Sequence, residues 1–124
     1  MTDHVLAITT QAHPAGPTVV TVAGELEYGT TANLRQAIQA APFTGAGVVL
    51  DLTALTYCDS TGLTALLTAH QRAQATGVPL ALAGTNADLR HIFSIVGLDQ
   101  IFAMHASVDT AVTAFEATRA ARSD

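Results

Sequence analysis

The sequence predicts a single α/β domain, a mixed sheet of about five strands with about four helices packed on it. Three observations predict it. From residue 48 onward, short apolar runs alternate with apolar residues at helical spacing, which implies parallel strands joined by right-handed crossovers. Ahead of them stand two β-branched runs with a turn-rich spacer between, the pattern of a hairpin, which adds antiparallel pairing. The chain has 124 residues, 49% of them hydrophobic, enough for one core and too few for two. The domain is expected to span residues 1–124, with order from about residue 4 to about residue 120.

The elements follow in order. Val5–Thr9 and Thr18–Ala23 make the hairpin, and Gln11–Pro17, rich in turn formers, is its loop. Thr30 stands where a helix N-cap belongs, ahead of Leu34, Ile38 and Ala41 on one face. Pro42 and Gly45 close that helix. Val48–Leu52 is an apolar run broken only by Asp51, as in a strand covered on both faces. Leu63, Leu66, Leu67 and His70 recur at helical spacing until Gly77. Val78–Ala83 is another buried strand, with Pro79 at its start. Leu89, Ile92, Phe93 and Val96 form the next helical stripe, ended by Gly97, and Ile101–Ala103 reads as a short strand. Val108, Ala111, Val112 and Phe115 mark a last helix, with Arg119 and Arg122 placed to complement its C-terminal dipole. The tail Arg122-Ser123-Asp124 is expected to fray.

Charge narrows the chemistry. Only 12% of residues are charged, against about 25% in an average soluble domain. The formal net charge is -5, and all five cations are Arg. Without Lys there is no Walker-A phosphate loop, no Schiff base and no Lys general base. An acidic chain with scattered Arg has no basic stripe for nucleic acid. Cys58 is the only cysteine, so neither an intrachain disulfide nor a cysteine zinc cluster can form. His4, His13, His70, His91 and His105 lack metal-ligand spacing, and no cofactor is implied. The start, Met1-Thr2-Asp3-His4, is not that of a signal peptide, and no apolar run reaches the roughly 18 residues of a membrane span, so a cytoplasmic setting without membrane insertion is expected.

Open α/β sheets carry function at the C-terminal ends of their parallel strands. Here the first such point follows Leu50-Asp51-Leu52 and leads into Thr56–Leu63. Asp59, Ser60 and Thr61 are all N-cap types, and Gly62 permits close approach of the backbone. A hydroxyl at the open amides of a helix start sits at a natural anion site, and a phosphoryl group there would be partly neutralised while adding about −1.5 to −2 charge to the surface. A plain cap is the alternative. A second alternative is an acyl-transfer nucleophile. Cys58–Gly62 half-matches G-x-S-x-G, and Asp88 or Asp99 precedes His105, but position 58 carries a Cβ where that elbow has Gly. Cys58, with no basic neighbour in sequence, reads as a buried small hydrophobe. Glu25 and Glu27 read as a partner contact or a solvated edge, and Tyr28 as either an exposed anchor or a half-buried turn residue.

At these residues the chain resembles the STAS domain, and within it the stand-alone anti-sigma factor antagonists of bacteria. Asp59-Ser60-Thr61-Gly62-Leu63 is similar to that family's D-S-[ST]-G-L phosphorylation motif. Gly24-Glu25-Leu26-Glu27 with Thr30 and Leu34 resembles its G-E-[LI]-D segment, and Ile92–Leu98 its F-x-x-x-G-L stretch. The resemblance implies a partner-switching cycle. An anti-sigma factor with serine kinase activity would phosphorylate Ser60, with Thr61 the second choice. The unmodified form would bind that factor and free the sigma factor, and a PPM-type phosphatase would reset the switch. Asp59 would help place the hydroxyl. Asp59, Thr61, Gly62, Glu25, Glu27, Tyr28 and Thr30 are the expected partner contacts. Glu27 stands where the family usually has Asp, and Cys58 where Met or a similar apolar residue is commoner. The other functional reading is an adaptor subunit of a transport complex or stress assembly. The switch requires Ser60 to lie on a surface that another chain can touch.

Overall fold

In the computed structural model, which describes residues 5–122, the alternation of side chains along each strand decides which layer it builds. Expectations for Met1–His4, for the Arg122 side chain and for Ser123-Asp124 lie outside the described residues. β1 (Leu6–Ala12) and β2 (Thr18–Leu26) form the antiparallel hairpin, with Ala12 opposite Thr18. The nine residues of β2 serve two parallel partners on its other edge. Thr18–Thr21 pairs with β3 (Val48–Asp51), and Gly24–Leu26 pairs with β4 (Leu55–Cys58). β5 (Leu80–Ala83) follows beside β3, and β6 (Ala103–His105) beside β5, both parallel. The mixed sheet thus has six strands in the order β1-β2-β3-β5-β6, with β4 on β2.

Four helices complete the α/β fold: α1 (Thr31–Ala40), α2 (Ser60–Thr76), α3 (Ala87–Ile95) and α4 (Val108–Arg122). In β3, Val48 and Leu50 point into the larger core with Leu34 and Ile38 of α1, Leu66 and Ala69 of α2, and Phe93 of α3. Val49 points the other way, with Ala81 and Ala83, onto Ala111, Val112 and Phe115 of α4. Two covered faces explain why Val48, Val49 and Leu50 are apolar without alternation. None of these helices is long and apolar enough to cross a membrane.

Four expectations are corrected. Residues 55–58, read as connection, form the sixth strand, because they pair in parallel with Gly24–Leu26 of β2. The last strand starts at Ala103, since Leu98–Gln100 forms a 3-10 turn that leaves Ile101 exposed. The α3 stripe is narrower than the sequence suggests: Leu89 and Phe93 are buried, whereas Ile92 and Val96 face out. On α2 the deepest side is made of small residues, Gly62, Ala65, Ala69 and Ala73 with Leu66, so Leu63, Leu67 and His70 lie only half-buried.

Candidate functional site

β2 and β4 end side by side, with Leu26 opposite Cys58, and each runs directly into a helix. The β2–α1 turn and the first turn of α2 are therefore neighbours by construction. Asp59 joins them. Its N–H donates to Leu26 O at 3.1 Å. Its Oδ1 accepts from Gly62 N at 2.9 Å and from Thr61 Oγ1 at 2.6 Å. Its Oδ2 accepts from Tyr28 N at 3.1 Å, across the gap between the turns. Asp59 is the N-cap of α2. The Thr61 hydroxyl is the largest cause holding its carboxyl below the ordinary carboxylate range; partial burial opposes this, and the amides of Gly62, Tyr28 and Thr61 reinforce it. At neutral pH Asp59 is ionised.

Ser60 is the first residue of α2 and is exposed. Its carbonyl accepts from Thr64 Oγ1 at 3.1 Å, while its hydroxyl makes no hydrogen bond among the described residues. The half-buried Thr61 differs, because its hydroxyl is committed to Asp59. One sequence expectation changes here. The helix start is a partly filled anion site, because the Asp59 carboxylate already takes Gly62 N. A phosphoryl group on Ser60 would meet a fixed carboxylate beside it.

Gly62 is buried, and the reason for glycine is internal. A Cβ there would lie 2.7 Å from Leu26 O and 2.8 Å from Cys58 Sγ. Burial, then the charge of Asp59, pushes the Cys58 thiol up to about 12, so it is a packing group. Thr30 occupies the N-cap position of α1 without capping it. Its hydroxyl turns back, donating to Glu25 O at 2.8 Å and accepting from Glu27 N at 3.0 Å. Thr30 is buried and braces the turn. The Glu27 carboxylate accepts from Gly29 N at 2.9 Å, which fixes the tip. Tyr28 is 82% exposed.

Asp59, Ser60, Thr61, Glu27 and Tyr28 thus share one surface, with Gly62 and Thr30 beneath it. Glu25 lies one step down β2, opposite Tyr57, an exposed aromatic the sequence reading did not include. No period-two pattern in the sequence marks it, because Leu55-Thr56-Tyr57-Cys58 runs buried, exposed, exposed, buried. No imidazole reaches the Ser60 hydroxyl among the described residues, so the hydrogen bond that a Ser–His nucleophile requires is missing.

The comparisons agree with this architecture. The family model of the STAS domain matches residues 7–111. The chain is similar to an anti-sigma factor antagonist from Mycobacterium paratuberculosis, at 26% identity and a TM-score of 0.80, covering 93% of this chain and 97% of that one. It is similar to the anti-sigma factor antagonist SpoIIAA in its unphosphorylated form, at 20% identity and a TM-score of 0.72, over 90% of this chain and 97% of that one. A sulfate transporter family protein from Wolinella succinogenes shares the fold at 16% identity and a TM-score of 0.73, over 86% of this chain and 88% of that one. No curated protein matches. With the family pattern running from the first strand into the last helix, this chain belongs to the STAS domain family.

Proposed function

We propose that this chain is a cytoplasmic anti-sigma factor antagonist switched by phosphorylation of Ser60. The observation that carries the reading is an exposed hydroxyl, unused by the fold, at the start of α2 beside the Tyr28 turn. The unmodified surface, with Tyr28 as a projecting aromatic and Glu27 and Asp59 as fixed carboxylates, docks an anti-sigma factor that is also a serine kinase, and the sigma factor is released. In the kinase complex Ser60 Oγ loses its proton and attacks the γ-phosphorus of ATP. The new O–P bond forms as ADP leaves. The modified surface carries about −1.5 to −2 extra charge next to ionised Asp59, and a partner must now desolvate both. A coupling of about 1–3 kcal/mol suffices for a working switch. A PPM-type phosphatase hydrolyses the ester and restores the hydroxyl.

The test is binding of Ser60→Ala, Ser60→Asp and wild type to the cognate anti-sigma factor. Ser60→Ala binds and cannot be switched off by kinase and ATP, and Ser60→Asp binds weakly. Equal affinity for all three removes the proposal. Peptide mass spectrometry after kinase treatment places the phosphate on Ser60 and not on Thr61. The likeness to a sulfate transporter family protein favours a second reading, an adaptor of a transport complex or stress assembly, which predicts co-purification with a permease instead of a kinase.

A further inference from the structure

Neither α1 nor α2 contains an Asp or Glu, yet together they carry Arg35 and Arg72, two of the five cations of a chain whose formal net charge is -5. Both arginines line one groove of about 400 Å³ between the two helices, and no carboxylate lines it. Arg35 is exposed and makes no hydrogen bond or ion pair among the described residues. Arg72 is half-buried and held in place. Its guanidinium lies 4.9 Å over the Phe43 ring, and Nη2 donates to Ala41 O at 3.3 Å. Its Nε–H is buried with no acceptor. The groove thus sets one fixed and one unpaired guanidinium side by side with no carboxylate lining it to neutralise either.

We propose that the α1–α2 groove binds a small organic oxyanion, a carboxylate or phosphate ester carried on a compact apolar or planar body. An arginine fork takes such a group through two parallel hydrogen bonds, and stacking on Phe43 fixes the plane of the Arg72 fork before the ligand arrives. Arg35 supplies the second charge. Gln39, Gln71 and Thr68 line the same groove and offer neutral hydrogen bonds, while Ile38 gives the apolar body a wall. The volume falls within the roughly 300–1,000 Å³ of small-molecule pockets. Thr68, the α2 groove residue nearest the proposed switch, lies about 12 Å along the helix from Ser60.

Backbone amide NMR of the full chain tests this. Phenyl phosphate and benzoate are titrated, with inorganic phosphate and uncharged phenol as comparisons. Saturable shifts at residues 35–39 and 68–75 with both organic anions, weaker with inorganic phosphate and absent with phenol, support the site. Arg35→Gln, at an exposed position, lowers affinity about tenfold, and Arg72→Lys, which keeps the charge and loses the fork, does likewise. A melting curve for each variant establishes that it is folded. No saturation by about 10 mM organic anion overturns the proposal. So does binding unaffected by Arg35→Gln, equal binding of phenol, or inorganic phosphate binding as tightly as the esters. Binding only of an acidic partner segment, with no response to the small anions, overturns it too.

Discussion

Replacing Gly62 by Ala sets two effects against each other. Within a helix, Ala is favoured over Gly by about 0.5–1 kcal/mol, so propensity alone predicts a gain. The new Cβ would meet Leu26 O at 2.7 Å, Cys58 Sγ at 2.8 Å and Leu26 Cγ at 2.9 Å. None of the three is the free end of a flexible side chain. Leu26 is fully buried, and its carbonyl accepts the Asp59 N–H at 3.1 Å, so it cannot retreat without loosening the joint between the two turns. Overpacking of this kind costs about 1–3 kcal/mol. With two contacts to atoms that cannot retreat, the cost falls in the upper part of that range, and Gly62→Ala is expected to lose up to about 2.5 kcal/mol net. Urea unfolding at neutral pH reads this as a lower midpoint at unchanged slope. Gly45, where an added Cβ meets nothing within 4 Å, is the control: Gly45→Ala stays close to wild type. Adding Cys58→Ala to Gly62→Ala relieves one of the contacts and recovers part of the loss. A Gly62→Ala protein as stable as wild type, or more stable, would refute the packing account of the α2 start.

Other expectations follow from the same joint. Asp59→Ala removes the α2 cap and lowers stability by about 0.5–2 kcal/mol at pH 7 by urea titration. Because folding lowers the Asp59 pKa, its contribution is complete above the unfolded value of about 3.9 and disappears as pH falls through the folded value. The gap between wild type and variant should therefore narrow as pH falls below about 3.9, and a gap that does not change with pH contradicts the assignment. Cys58, buried with its thiol pushed up to about 12, should resist an aromatic disulfide reagent at pH 8 until the protein unfolds, and immediate stoichiometric reaction of native protein would contradict that. In phosphorylated protein, ionised Asp59 should raise the second phosphate pKa of Ser60 above its free value of about 6, and Asp59→Asn should lower it again. Phosphorus NMR titration reads both, and identical midpoints would show that the two groups do not interact.

The layering was legible because Val48-Val49-Leu50 is an apolar run without alternation, as a strand covered on both faces requires. The site segment was legible because Asp59–Gly62 combines capping residues with a glycine just where a strand gives way to a helix. What the sequence obscured was relational. β4 is four residues long and pairs only with β2, so its residues carry half of a strand signal. Thr30 matches an N-cap by type, and only the geometry reveals that its hydroxyl points back to Glu25 O. Gly62 signals close approach without saying by what, and the neighbour is Leu26, on another strand and far beyond the reach of any local rule. Ile92 and Val96 fit a helical stripe, but α3 covers the sheet edge with Leu89 and Phe93 alone.

A side chain serves as a reversible tag most cleanly when the fold does not depend on it, and the two turns meet that condition unequally. Asp59 is bound by three donors, Thr61 by Asp59, Glu27 by Gly29 N, and Thr30 by the backbone on both sides. Modifying Thr61 would remove the 2.6 Å bond to Asp59 and press a dianion against the carboxylate that holds α2 to the Tyr28 turn. Modifying Ser60 removes no hydrogen bond within the described residues, so the folded state bears little of the change. On the proposed reading, the free energy of the switch must then arise in the complex, where a partner pressed onto Tyr28 and Asp59 would have to bury two adjacent negative groups. That places the discrimination in the desolvation of a shared surface and leaves the six-stranded scaffold the same in both states.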